Sequence, residues 1–447
     1  MANDKDFVVA GAVEVGKDTK VTLGTVTSNN IDLATGNYFA DTPSGTSTYT
    51  ISNAGDVQSF QLEVTGGTEE VAQNFSTTLY TGNNDNGGNT QTITNGIDLA
   101  SDGGLVWIKD RSGSSNHILV DTERGVNNAL RSNSTSANTS YTGSNSVVDA
   151  FNSDGFDVGE GSQVNYLNNN FVSWTFKKEP SFFDVVTYTG DGVAGREISH
   201  NLGSVPGCIM IKQTTGTNNW IVYHRGANGG INPEQYNLYL NLTNAQEDFI
   251  LFDDTASTAT NFTVGGYASV NGSGHNYVAY LFAHDDAADG LIQCGSYTGN
   301  GSTDGPEISL GWQPQWILTK YSSRISGGGA GNWSIIDNSR GFTPDGSDAY
   351  LRPNESAAEA TATLISPTST GFKLNTTSGD YNQNDATYIY IAIRAASEPD
   401  ITWPSSIEWA GGIAPSAPAT GETDVYTLVT DDGGTSYVGV KTADNLS

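Results

Sequence analysis

Cysteine, methionine and positive charge are all scarce in this chain. Two cysteines in 447 residues are too few for a disulfide framework. Cys208 and Cys294 stand in strand-like surroundings in different repeats, which argues for two buried thiols and against a bridge between them. Lys and Arg total 19 against 49 Asp and Glu, a formal net charge of −30. That balance argues against a nucleic-acid partner, because a phosphate backbone is held by clustered cations. It also keeps a repetitive surface soluble and self-repelling. No stretch approaches the roughly 20 apolar residues of a membrane-spanning helix, so no membrane insertion is expected. Met1-Ala2-Asn3-Asp4-Lys5-Asp6 leads into a short run broken by Gly and Glu. The expectation is therefore a chain made in the cytoplasm without a signal peptide.

What the chain does have is Gly, Ser, Thr and Asn between short apolar runs, the texture of an all-β protein with many tight turns. Five elements recur three times in the same order. A Tyr-Thr-Gly turn opens each copy (Tyr80, Tyr188, Tyr297), and an apolar strand ending in Lys follows (Lys109, Lys212, Lys320). A strand closing on Arg-Gly comes third (Arg124, Arg225, Arg340), then a Phe-centred strand (Phe156, Phe262, Phe372). Last comes an alternating strand that begins at Phe171, Tyr277 or Tyr388. The period of roughly 105–110 residues is far above the solenoid range, so each copy is expected to be a domain with its own core. The copies span residues 75–180, 181–289 and 290–399.

The flanks carry strands of their own. Phe7-Val8-Val9-Ala10 to Leu23 reads as an edge hairpin or an attachment arm, and Phe60, Leu62 and Val64 alternate along one strand face. In the tail, Asp431-Asp432-Gly433-Gly434 joins two strands as a hairpin. Neither flank has strands enough for a sandwich, but together they do. The expected architecture is all-β: three repeated β-sandwich-like domains inserted in a discontinuous terminal β-domain, residues 1–70 with 400–447. Five beads in series is the alternative.

For chemistry, no constellation rises above background. The five histidines occupy different repeat offsets, and none of them has zinc-helix spacing. Asp121 with Glu123, Asp253 with Asp254, and Asp285 with Asp286 are the carboxylate pairs to weigh for glycoside cleavage. Asp98–Asp102 and Asp285–Asp289 lack the full spacing of a calcium loop. No catalytic, cofactor-binding or metal residues are assigned. Arg124, Arg225 and Arg340 recur at matched offsets, either bonding turn carbonyls with their five donors or contacting a ligand or partner. Trp312 and Trp333 flank the glycine loop at 327–329, and if exposed they would form a stacking platform for a sugar ring.

Two segments resemble a known class. Leu62-Glu63-Val64-Thr65-Gly66-Gly67 with Ile401-Thr402-Trp403-Pro404-Ser405-Ser406-Ile407 looks like a module at the ends of tail-fibre-type proteins of marine tailed bacteriophages. Val106-Trp107-Ile108-Lys109-Asp110-Arg111-Ser112-Gly113, followed by His117 to Gly125, resembles a repeated β-domain of phage tail-fibre and virion structural proteins. The resemblance implies a non-enzymatic virion protein, a tail fibre or spike that contacts a host surface glycan or protein by multivalent binding. It implies a homotrimer alongside other virion proteins. A head fibre or decoration protein, a tail adaptor or spacer, and a polysaccharide-degrading tailspike are the competing expectations.

Overall fold

The computed structural model describes residues 24–446 apart from 25, 28, 43–46, 66–69, 86–87, 288–289, 325–330, 345–346, 397–400, 411 and 419–421. The strands expected before residue 24 and the glycine loop at 327–329 lie outside the described residues. The chain is almost entirely β. No helix among the described residues is long and apolar enough to cross a membrane. Two compact units result: residues 71–396, and residues 1–70 with 397–447.

Within residues 71–396 each copy builds the same antiparallel ladder. The opening strands (Phe75–Thr81, Phe183–Thr189, Ile292–Thr298) pair with the closing strands (Asn170–Lys177, Asn276–Phe282, Ala386–Arg394). The closing strands also pair with the central strands (Gly104–Asp110, Cys208–Gln213, Pro314–Arg324). The central strands pair in turn with the third strands (Ile118–Asp121, Ile221–His224, Trp333–Asp337). Register is kept across copies: Lys109, Lys212 and Lys320 lie opposite Val172, Val278 and Ile389. A smaller sheet around Gly155–Val158, Asn261–Val264 or Gly371–Leu374 covers one face of each ladder and makes each copy a sandwich.

The central strands are buried along their whole length in the first two copies. A strand buried on both faces needs a cover for each. In the first copy Val106 and Ile108 face the small sheet, in a cluster with Phe156. Leu105 and Trp107 face the other way, and there no single copy supplies the cover. The largest core cluster gathers Trp107 and Trp174 with Trp220 and Tyr280 of the second copy and Trp316 and Trp333 of the third. The expectation of one self-contained core per copy therefore gives way to a core shared by all three.

The other unit joins the chain's two flanks. Gln58–Thr65 pairs antiparallel with Thr423–Thr430, which pairs with Tyr437–Leu446 across the turn at Asp431–Gly434. Tyr38–Asp41 and Ile407–Trp409 add parallel strands at the two edges of this sheet. Phe39, Phe60, Leu62, Tyr426 and Tyr437 form its core, with Trp403 and Trp409 packed against them.

Candidate functional site

The recurring polar residues hold the scaffold. The expected Tyr-Thr-Gly turn is the end of each opening strand, and in every copy its tyrosine donates its hydroxyl to a backbone carbonyl: Tyr80 to Val164 at 2.7 Å, Tyr188 to Val270 at 2.7 Å, Tyr297 to Tyr381 at 2.9 Å. The glycine two residues on lies against backbone, where a Cβ would collide with the carbonyl oxygen of Tyr166, Gly272 or Gln383. The next residue, Asn83, Asp191 or Asn300, gives its N–H to a wholly buried asparagine: Asn165, Asn271 or Asn382, at 2.9, 3.0 and 2.8 Å. Each of these asparagines turns its amide NH₂ onto neighbouring loop oxygens (Gly159 O, Val193 O and Ser302 O, for example). An unpaired buried amide is costly, so a satisfied one pins the loop.

The three lysines are buried as well. Their ammonium groups donate to loop carbonyls: Lys109 to Asp110 and Gly113, Lys212 to Gln213 and Gly216, Lys320 to Thr243, Asn244 and Gly331. Burial pushes Lys109 and Lys212 down to about 8 and Lys320 down to about 7.

Contacts between copies close a ring, first to second, second to third, third to first. The third strand of the first copy ends at Asp121, which pairs with Arg124 at 2.6 Å; both meet the Tyr280 hydroxyl of the second copy, at 2.8 and 3.0 Å. The third copy repeats this with Asp337 and Arg340 at 2.7 Å. Asp337 accepts from Trp174 Nε1 of the first copy at 2.9 Å, and the Arg340 guanidinium lies over the Trp174 ring. In the second copy His224 stands in the aspartate's place and meets the Tyr390 carbonyl of the third at 3.0 Å. Burial pushes His224 down to about 3.

A second set of contacts runs round the same ring. Trp220 Nε1 donates to Arg131 O of the first copy at 2.9 Å, and Trp333 Nε1 to Tyr239 O of the second at 2.8 Å. His117 occupies the matching place in the first copy, where its Nδ1 accepts from Trp107 Nε1 of the same copy at 3.0 Å. A third set is backbone: Asn138 N to Thr214 O, Gln246 N to Ser322 O, Glu359 N to Arg111 O.

These positions correct several expectations. Trp333 is 1% exposed and Trp312 6%, so neither offers a ring face to a sugar; both fill core. Arg124 and Arg340 are buried and bond carbonyls, Leu119 and Asn128 for one and Ile335 for the other. Arg225 does not share their role. It follows the strand directly, whereas Arg124 and Arg340 come three residues after their aspartates, and it is exposed. Asp121 and Glu123 belong to separate ion pairs, with Arg124 and Lys178. Asp253 and Asp254 are left-handed turn residues. The cysteines are free and buried, and burial raises both thiols. Among the described residues no three His, Cys, Asp or Glu side chains gather as a metal site.

A groove of about 680 Å³ lies between the first and second copies, in the range of small-molecule pockets. Arg124 and Asn138 line it from the first copy, with Tyr188, Thr189, Thr214 and Asn276 from the second. Thr189 and Asn276 stand exposed on the rim. The groove is not legible in the sequence, because its walls come from segments about 50–150 residues apart that carry no common motif.

No curated protein and no solved structure matches the chain. One family profile, that of the domain of unknown function DUF7483, matches residues 70–399, the segment that contains all three copies and the groove, and the chain belongs to that family.

Proposed function

We propose that the chain is a non-enzymatic virion structural protein of a tailed bacteriophage, a tail fibre or spike that meets the host cell surface through multivalent weak contacts. The observation that carries this reading is the inward direction of the recurring polar side chains. Lys109, Lys212 and Lys320, the three turn tyrosines and the three buried asparagines bond the backbone of their own scaffold. A repeated module whose polar set maintains stiffness suits a projecting component of a particle, whereas catalytic groups converge on a reacting atom. The likeness of residues 62–67, 106–125 and 401–407 to fibre-type segments supports a virion location, and the common trimeric build of fibres supports the homotrimer.

The test is antibody against residues 71–396 applied to purified particles in electron micrographs. Label on the tail is the expected result. Label on the head would make the chain a decoration protein, and unlabelled particles whose other structural proteins label normally would refute the reading. Native mass with a crosslink map on the same chain tests the trimer.

A further inference from the structure

We infer that the groove between the first and second copies is a binding site for an uncharged oligosaccharide, opened by divergence of one of three equivalent interfaces. The inference deepens the surface-contact reading above and rests on it for its biological sense. The equivalence comes from backbone. Asn138 N meets Thr214 O at 2.8 Å, and Glu359 N meets Arg111 O at 3.0 Å. Thr214 N and Arg111 N also donate to matching closing-strand residues, Asn276 O and Asn170 O, both at 2.8 Å. Arg124 and Arg340 match too, each pairing with the aspartate that ends a third strand.

Between the third and first copies this place is filled. Arg111 makes two bonds of 2.8 Å to Glu359, which also accepts from Arg340 at 3.2 Å. Burial pushes the Glu359 carboxyl up, but the bond from Arg111 and the charges of both arginines outweigh it and leave the group below its ordinary value. Between the first and second copies the same three positions read Thr214, Asn138 and Arg124. The long arginine has become threonine and the carboxylate an amide, so the space the ion triad occupies elsewhere stands open as the groove.

The lining sets the ligand class. It offers the carboxamides of Asn138 and Asn276 and the hydroxyl oxygens of Thr189 and Thr214, which donate to Asn276 at 2.8 and 3.0 Å and keep their acceptor lone pairs, while the Tyr188 hydroxyl is already given to Val270 O. Its one cation, Arg124, is matched by Asp121 at 2.6 Å and already bonds Asn138 at 2.7 Å. No charge is left over for a phosphate, sulfate or carboxylate, and a chain of net charge −30 repels anionic polymers. Hydroxyl and amide walls favour a ligand that both donates and accepts along its length, as a neutral sugar chain does. A peptide would need apolar subpockets for its side chains, which this lining does not supply.

The sister interface supplies the test. In Thr214→Arg/Asn138→Glu the groove receives the triad that residues 111, 359 and 340 already form, so the fold is kept and the space is filled. Binding of isomaltohexaose, mannohexaose and cellohexaose is measured by saturation-transfer NMR and calorimetry up to about 10 mM, with a heparin hexasaccharide as the anionic control. The expected result is binding of at least one neutral oligomer and none of heparin. The filled variant should then weaken that binding at least about tenfold, and Thr189→Val about threefold. The second variant keeps the test open if the double substitution unfolds the chain. No binding by the wild type, equal binding by both variants, or preference for heparin overturns the inference. Particle labelling is independent of all these outcomes, so a failed groove and a failed virion assignment are told apart.

Discussion

The ring contact between Asp337 and Trp174 gives the sharpest perturbation. The Asp337 and Arg340 side chains are both 0% exposed. Asp337→Ala removes the closest counter-charge of a buried guanidinium and leaves the Trp174 indole N–H without its acceptor. Breaking a buried pair from one side costs about 3–5 kcal/mol. The lower part of that range is expected, because Glu359 still meets Arg340 at 3.2 Å. About 3 kcal/mol is a factor of roughly 150 in the folding equilibrium. The bond joins the third copy to the first, so the loss must be felt on both sides. Native-state hydrogen exchange in increasing urea reads this directly, through protection of Asn170–Lys177 and Trp333–Asp337. Trp174→Phe, which removes the donor but keeps an aromatic ring, completes a double-mutant cycle, and the expected coupling is about 1–2 kcal/mol. Additivity within about 0.3 kcal/mol, or loss of protection confined to the third copy, would refute the shared-core ring.

Three further outcomes follow from the same geometry. Lys320, Lys109 and Lys212 titrate at about 7, 8 and 8 in the folded chain, lowered by burial, against about 10.4 when unfolded. Over that window the unfolded chain holds more protons, so stability rises with pH. The melting temperature of residues 71–396 should therefore climb from pH 7 to 9, and Lys320→Met should flatten the climb; a falling wild-type profile means that the carbonyls keep the ammonium charged. Above about pH 9 the climb slackens, because the buried thiols of Cys208 and Cys294, raised by burial, then act in the opposite direction. Gly190→Ala places a methyl against the Gly272 carbonyl and should cost about 1–3 kcal/mol, whereas Gly379→Ala meets nothing within 4 Å and should be neutral; equal effects in thermal melts would contradict the close approach. Trp333→Phe deletes the 2.8 Å bond to Tyr239 O and should lower stability by about 1 kcal/mol while oligosaccharide binding is unchanged.

The sequence revealed elements better than relations. The central, third and closing ladder strands were legible because apolar residues alternate or run together there, whereas the opening strands Phe75–Thr81, Phe183–Thr189 and Ile292–Thr298 were not, since Tyr-Thr-Gly reads as a turn although its Tyr and Thr are the last two residues of each strand. The buried asparagines were missed, since Asn is common in the loops of this chain and a single one looks like a turn residue. Their signal was positional: Asn165, Asn271 and Asn382 each precede the first aromatic residue of the closing strand (Phe171, Tyr277, Tyr388) by six residues. Arg225 shares the Arg-Gly pair of Arg124 and Arg340 but follows its strand at a different register. His224, not Arg225, stands at the ring position of Asp121 and Asp337. Trp312 and Trp333 were read as platform candidates from a neighbouring glycine loop, but burial depends on the neighbouring copy, about which the local sequence is silent.

That dependence bears on why three copies share one chain. In a homotrimer the three interfaces are identical by symmetry, and a residue suited to one is imposed on all. Here each interface has taken its own residues at the same place: Arg111 with Glu359, Ser322 with Gln246, and Thr214 with Asn138. The first is an ion pair, the second a hydroxyl–amide bond of 2.5 Å, and the third leaves space. Two interfaces that hold the ring shut allow the remaining one to loosen without loss of the shared core, since Trp107, Trp220 and Trp333 still pack at its centre. A homotrimer with Thr and Asn at all three places would gain three grooves and lose the ion triad everywhere. Serial copies thus separate holding from binding, and the groove stands at the interface where the holding residues are shortest.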